Sequence, residues 1–262
     1  MRLVRVERED GFARVVLDRP EQRNAVSTEM LGELVAAFGD LAVEPEVRAV
    51  ILAGEGRDFC AGADFAEVTI MRPPHYDYGR TFEEAVAVIA DHPVPVIAQV
   101  QGAALGAGCQ IAVGCDLAVA AEDARFGIPV ARLGLLINFE NIQRLVFAVG
   151  PKRAADIVFA GRQLSGTEAA DWGLVNDAVP REELAERAEA LARRIAEGAP
   201  LSVRGSKRGI RMVLDNLSVD RSHEGHPVAE YDMMAASVFD SDDLKEGIAA
   251  FKERRAPNFR GK

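Results

Sequence analysis

The chain reads as an α/β protein, and three observations predict it. Two short apolar runs each end in a glycine-rich turn that opens a helix, a hairpin pattern precedes them, and the last quarter carries helical periodicity without any strand signal. The first run is Val50-Ile51-Leu52, followed by Asp58-Phe59-Cys60-Ala61-Gly62-Ala63-Asp64. The second is Val96-Ile97-Ala98-Gln99-Val100, followed by Gly102-Ala103-Ala104-Leu105-Gly106-Ala107-Gly108. Turns of this kind leave unbonded N–H groups at a helix start, where the dipole favours negative charge. Two that converge can hold a developing oxyanion; small residues also serve simple close packing of strand on helix, and each turn by itself allows both readings.

Taken in order, residues 3–6 and 13–17 alternate as a hairpin about Asp10-Gly11. Ser27-Thr28-Glu29-Met30 carries an N-cap signature for a helix running to about Leu41. A strand over 47–53 delivers the first turn, and a loop to Gly79 leads to a helix over 81–91. His92-Pro93 closes that helix before a strand over 95–100, the second turn, and a helix over 109–114. Short strands near 117–120 and 124–126 follow, then helices near 139–149, 151–159, 167–172, 181–197, 200–215, 221–239 and 241–254.

The bulk composition excludes several classes. A chain of 262 residues with 48% hydrophobic content supports a large core and excludes wholesale disorder. No apolar run reaches the length of a membrane span, and Met1-Arg2-Leu3-Val4-Arg5 lacks the apolar stretch of a signal peptide, so a cytoplasmic protein without a membrane partner is expected. A net charge of −10 argues against nucleic acid as partner and leaves any polyanionic ligand to local basic residues. Cys60, Cys109 and Cys115 are read as buried structural thiols, since neither disulfide nor zinc spacing is present. The four histidines show no ligand spacing, so no metal is expected; His75 is read as a loop residue.

The paired turns resemble those of the enoyl-CoA hydratase/isomerase family, the crotonase superfamily. The resemblance extends through Arg19-Pro20-Glu21-Gln22-Arg23-Asn24-Ala25, Cys115-Asp116-Leu117-Ala118, the segment 121–127, Gly173-Leu174-Val175-Asn176, the segment 241–248 and Pro257-Asn258-Phe259. It implies a crotonase (ClpP-like) fold of repeated ββα units. It further implies a core over 1–198 bearing the CoA site and oxyanion hole, and a helical region over 199–262 that covers the acyl pocket and builds homotrimers, often paired into hexamers. The implied substrate is an acyl-CoA thioester, with no cofactor beyond the CoA that the substrate itself carries.

Carried over residue by residue, the resemblance makes the amides of Ala63 and Ala107 the oxyanion donors. The backbone at Ala25, Ala61, Asp64 and Phe65 would grip the pantetheine and adenine, with Arg23, Phe251 and Arg254 approaching the nucleotide. Alanine stands at 107 where most relatives have glycine; it keeps the N–H provided its φ is negative. The two glutamates with which family hydratases add water fall on Gln110 and Val130, and neither residue can move a proton as they do. Family isomerases place a single catalytic carboxylate at what is here Asn138, with Glu140 close by. Both also suit a helix start, Asn138 as cap and Glu140 as first-turn charge. The resemblance therefore favours a double-bond isomerase over a hydratase. The alternatives are decarboxylation of a 2-carboxyacyl-CoA, whose usual histidine and tyrosine fall on Ala63 and Ile137, and a non-catalytic acyl-CoA binder.

Overall fold

The structure, a computed structural model, describes residues 2–64, 77–132, 137–215 and 241–262. Its centre is a six-stranded sheet in the order β1-β2-β3-β4-β6-β9, comprising β1 (Val4–Glu9), β2 (Phe12–Leu17), β3 (Ala49–Gly54), β4 (Val96–Val100), β6 (Leu117–Ala121) and β9 (Asp177–Val179). Only β1 and β2 pair antiparallel; they form the hairpin expected around Asp10-Gly11, with Gly11 at φ 82°. Every further pairing within this sheet is parallel. The sequence explains which strands are central: all six residues of β3 are buried, as expected where helices cover both faces of a parallel strand.

A second sheet of three strands, β5 (Ala103–Leu105), β7 (Arg125–Gly127) and β8 (Leu164–Ser165), stands beside the first. The α/β class is therefore as read from the sequence. The second turn, however, contains the strand β5, and neither β8 nor β9 was expected. These are strands of three residues or fewer, too short to show a period. They exist because neighbouring chain segments supply their partners.

Helix α1 (Thr28–Ala42) opens on Ser27, whose side chain accepts from Met30 N, and buries Met30, Leu31, Leu34, Phe38 and Leu41 against the sheet. Burying one such side chain is worth about 1.5–3 kcal/mol, so this face alone holds the helix on the core. Helix α2 begins at Asp77 rather than at 81 and ends at Ala90, just before His92-Pro93. Helix α3 (Ala107–Gly114) is buried almost throughout, which accounts for its weak amphipathic pattern. Helices α4 (Phe139–Val149), α5 (Pro151–Phe159) and α6 (Gly166–Trp172) follow, and α6 starts on a complete capping box between Ser165 and Glu168. The stretch expected as one helix over 181–197 divides into a 3₁₀ turn at Arg181–Glu183 and α7 (Leu184–Ala196). Helices α8 (Pro200–Asp215) and α9 (Asp242–Glu253) match expectation, while the helix expected over 221–239 lies outside the described residues.

Among the described residues, no helix is long and apolar enough to cross a membrane. Of the cysteines, Cys60 and Cys109 are buried as expected, with burial pushing both thiols up to about 12; Cys115 is partly exposed, a correction to the reading that all three are buried. A thiol so far above neutral pH is no nucleophile.

Candidate active site

The two glycine-rich turns are stitched to each other before any side chain is considered. Phe59 N donates to Gln101 O at 2.8 Å, Cys60 N to Ala103 O at 2.8 Å, and Leu105 N to Cys60 O at 3.1 Å. The first turn thus pairs along β5. Helix α3 comes so close to it that a Cβ built on Gly108 would lie 2.2 Å from Cys60 O, which requires glycine there. A Cβ built on Gly106 would lie 3.9 Å from Gly62 Cα, so a single added methyl group would bring the residues just before Ala63 and Ala107 into contact.

Asp58 fastens the junction. Its carboxylate is 3% exposed, accepts from Ala103 N at 2.8 Å and from Arg23 Nε at 2.8 Å, and so bridges both turns and the 19–25 loop. Burial pushes this carboxyl up, but the Arg23 hydrogen bond, the Ala103 amide and the charges of Arg23 and Arg57 together hold it below the usual aspartate range. Asn24, fully buried with φ 54°, donates from Nδ2 to the carbonyls of Asp58 and Glu55. Neither residue had been given a role from the sequence. The available signal was a carboxylate directly before a small-residue turn, a common acceptor for turn amides.

A third segment completes the site. Ala61 N donates to Arg23 O, Val26 N to Gly62 O and Asp64 N to Val26 O, while Arg19 Nη1 meets Asp64 Oδ2 at 2.7 Å. Backbone hydrogen bonds thereby join the segments carrying Arg23, Ala25, Ala61, Ala63 and Asp64, and the first turn is bonded in turn to the one that leads into Ala107. Arg23, exposed and left-handed at φ 53°, spends its guanidinium on Asp58.

In the bridge between Val26 and Ala63, the bonded amides are those of Val26 and Asp64. Alternation along an extended strand turns the Ala63 N–H to the opposite side. Ala107 is the first residue of α3, where helical amides have no partner in the preceding turn, and Gly106 caps it without a side chain. Among the described residues neither the Ala63 nor the Ala107 N–H donates a hydrogen bond, and neither residue has positive φ. The condition attached to alanine at 107 is therefore met. The result is a pair of free donors on touching turns, one of them at the positive end of a helix dipole.

The acid–base candidates are placed differently. Gln110, 8% exposed, lies one turn along α3 and donates from Nε2 to Gly106 O at 3.3 Å. Val130 begins a 3₁₀ turn, Val130–Arg132. Asn138 caps α4, its Oδ1 accepting from Asn141 N at 3.1 Å. Glu140 is exposed in the first turn of α4, in a groove lined by Gln143, Arg144, Phe147, Arg211 and Leu214; this lining includes none of Ala63, Ala107 or Gln110. Arg254 is exposed just after α9 at φ 55°; Phe65 and the Phe251 side chain lie outside the described residues.

Fold and site together define an α/β protein with two unbonded backbone amides on a pair of hydrogen-bonded strand–helix turns. The comparisons give that class a family. The family profile described as Enoyl-CoA hydratase/isomerase matches residues 7–262, and the chain belongs to this family. It is 35% identical over 257 residues to a probable enoyl-CoA hydratase of Bacillus subtilis, covering 96% of each chain. It is 32% identical over 258 residues to the 2,3-dehydroadipyl-CoA hydratase of Escherichia coli, covering 98% of each. A crystal structure of an enoyl-CoA hydratase/carnithine racemase from Magnetospirillum magneticum superposes with a TM-score of 0.92 at 31% identity, covering 100% of this chain and 97% of that one. The crotonase fold implied by the sequence is thereby shown.

Proposed function

We propose that this protein takes an acyl-CoA thioester, holds its carbonyl oxygen between the N–H groups of Ala63 and Ala107, and stabilises the enolate that forms when the α-carbon loses a proton or a carboxylate. The observation that carries this reading is the pair of unbonded amides on two turns that are hydrogen-bonded to each other. Preorganised backbone donors of this kind act where charge develops and need no reorganisation during the reaction; one such donor is worth on the order of 10²–10³ in rate. The segments carrying Arg23, Ala25, Ala61 and Asp64 form the proposed CoA groove, with Arg254 as a further candidate for the nucleotide. The names of the relatives, enoyl-CoA and 2,3-dehydroadipyl-CoA hydratases, support the thioester.

Among the reactions such an enolate serves, we favour movement of a carbon–carbon double bond over addition of water. Hydration needs one group to activate water and another to deliver the α-proton, and Gln110 and Val130 supply neither. An isomerase needs a single proton carrier, for which Glu140 is the candidate. Its exposure in the groove with Gln143 and Arg211 counts against it and supports a second reading, decarboxylation of a 2-carboxyacyl-CoA. There the bond between the α-carbon and the carboxylate breaks, CO2 leaves, the bond's electron pair enters the enolate held by the two amides, and water then protonates the α-carbon to give the acyl-CoA, so no protein base is required for the cleavage.

The test is a chromatographic screen of 2-enoyl-, 3-enoyl- and 2-carboxyacyl-CoA thioesters. Interconversion of 2- and 3-enoyl-CoA that is lost in Glu140→Gln supports the isomerase, and full turnover in that variant removes Glu140 from the chemistry. CO2 release from a malonyl-type thioester supports decarboxylation. Rapid hydration of crotonyl-CoA defeats both readings, and binding without any product leaves a carrier of acyl-CoA. We also propose a homo-oligomer: Phe139, Ile210 and Val213 are 74%, 64% and 63% exposed in the single chain, and sedimentation as a monomer would refute it.

A further inference from the structure

We infer that the cleft where the end of α7, the start of α8 and the entries to β3 and β4 meet is a binding site for one small monovalent anion, a halide such as chloride, held by Arg204 and Arg48. It is separate from the oxyanion turns. Arg48 directly precedes β3 and Val94 lies just before β4, whereas the glycine-rich turns follow the opposite ends of both strands.

Charge is the first argument. Arg14, Arg19 and Arg211 are half-buried, and each meets a carboxylate, on Glu189, Asp64 and Asp91 respectively. Arg48 and Arg204 are half-buried too, and among the described residues neither is given a carboxylate. Arg48 donates to two carbonyls, Ala196 O and Phe259 O, both at 3.0 Å. Arg204 Nε is shut off from solvent and has no hydrogen-bond acceptor. A buried N–H without an acceptor costs the desolvation of that group, and a cation drawn out of water costs more unless opposite charge stands beside it. Both arginines line the one cleft. Lys207, a turn further along α8, takes Asp116 for itself and relieves neither of them. Helix α8, 16 residues long, begins at Pro200 on the same cleft and adds the positive end of its dipole.

Size selects the occupant. The cleft is partly open to solvent, and its volume of 10 Å³ is room for one water-sized species and too little for a phosphate or a nucleotide. Val94, Ile195 and Val203 supply hydrocarbon to its wall. A water molecule there would satisfy Arg204 Nε but leave both positive charges uncompensated. A halide is close to that size, accepts from several N–H donors at once, brings the missing charge, and is weakly enough hydrated to rest against methyl groups. Because Arg48 belongs to the core and reaches Phe259, while Arg204 belongs to α8, an anion shared by the two ties the helical region over 199–262 to the sheet.

Thermal unfolding in chloride against gluconate at equal ionic strength tests this in solution. Chloride at about ten times its Kd is expected to raise Tm by about 3–6 °C over gluconate. In Arg204→Met that increment is expected to vanish, while Arg194→Met, which removes an exposed arginine of α7, keeps it. Crystals of the parent protein soaked in bromide are expected to show an anomalous peak within about 3.5 Å of Arg204 Nε. An increment that survives in Arg204→Met, or one that is lost equally in Arg194→Met, overturns the inference. So does a cleft that holds only water or a neighbouring side chain in bromide. A bromide peak without the chloride-specific increment is an adventitious ion only and overturns it as well. Thioester binding enters none of these measurements, so their failure leaves the oxyanion reading where it stands.

Discussion

Substituting Gly108 by alanine tests whether close approach of the two turns makes the site. The added Cβ would lie 2.2 Å from Cys60 O and 2.8 Å from Cys60 Cβ, against roughly 3.5 Å for relaxed contact. The shortfall is about 1 Å, and the offending oxygen is backbone already engaged by Leu105 N, so no rotamer change relieves it. The start of α3 must move off the first turn. Overpacking of this kind costs about 1–3 kcal/mol, here near the upper end, a fall in Tm of roughly 5–10 °C for a domain of this size. The same movement separates the Ala63 and Ala107 amides by a distance of order 1 Å, which is worth about 100-fold in turnover. Calorimetry and the thioester screen read the two effects separately. Gly32→Ala is the control: it is exposed in α1 with nothing within 4 Å of its would-be Cβ, and should gain about 0.5–1 kcal/mol without touching activity. A Gly108→Ala protein with parental Tm and parental turnover would refute the reasoning.

Three further outcomes follow from buried polar groups. His92 is 3% exposed, packs edge-on to Phe38 at 5.4 Å and, through burial with Lys207 and Arg204 nearby, is pushed down to about 4. Since the unfolded chain takes up this proton near pH 6.5 and the folded one only near 4, stability should be complete above 6.5 and fall by about 3 kcal/mol between those values. Urea midpoints in His92→Phe should lose that part of the slope; an unchanged slope would remove His92 as its source. The buried Lys207 Nζ meets Asp116 Oδ2 at 2.7 Å and Val94 O at 3.1 Å, with the aspartate side chain 23% exposed; burial pushes Asp116 up and Lys207 opposes it. Lys207→Met should cost about 3 kcal/mol by urea unfolding, and adding Asp116→Leu should recover part of it; strictly additive losses would contradict a coupled pair. Asp58→Ala strands the Ala103 amide and frees Arg23, which should cost about 2 kcal/mol and weaken thioester binding in calorimetric titration, whereas unaltered stability would deny Asp58 its role as staple.

Local signals carried much of this protein into view. The N-cap at Ser27, the hairpin at Asp10-Gly11 and the helix from Phe139 all rest on neighbours within a few residues, and such interactions are written in consecutive letters. The buried parallel strands β3 and β4 were equally plain as apolar runs ending in glycine-rich turns. Tertiary structure alone decided the rest. β5, β8 and β9 are too short to own a pattern and exist only where distant segments offer them partners. Asp58 and Asn24 became the fasteners of the site because folding carried residues 19–26, 58–64 and 101–108 to one point. Glu140 shows the same division: its place in the first turn of α4 was legible, but which way that turn faces depends on α8 packed beside it. Sequence determined which short stretches could form free amides; the packing of one turn on another decided that two of them would lie side by side.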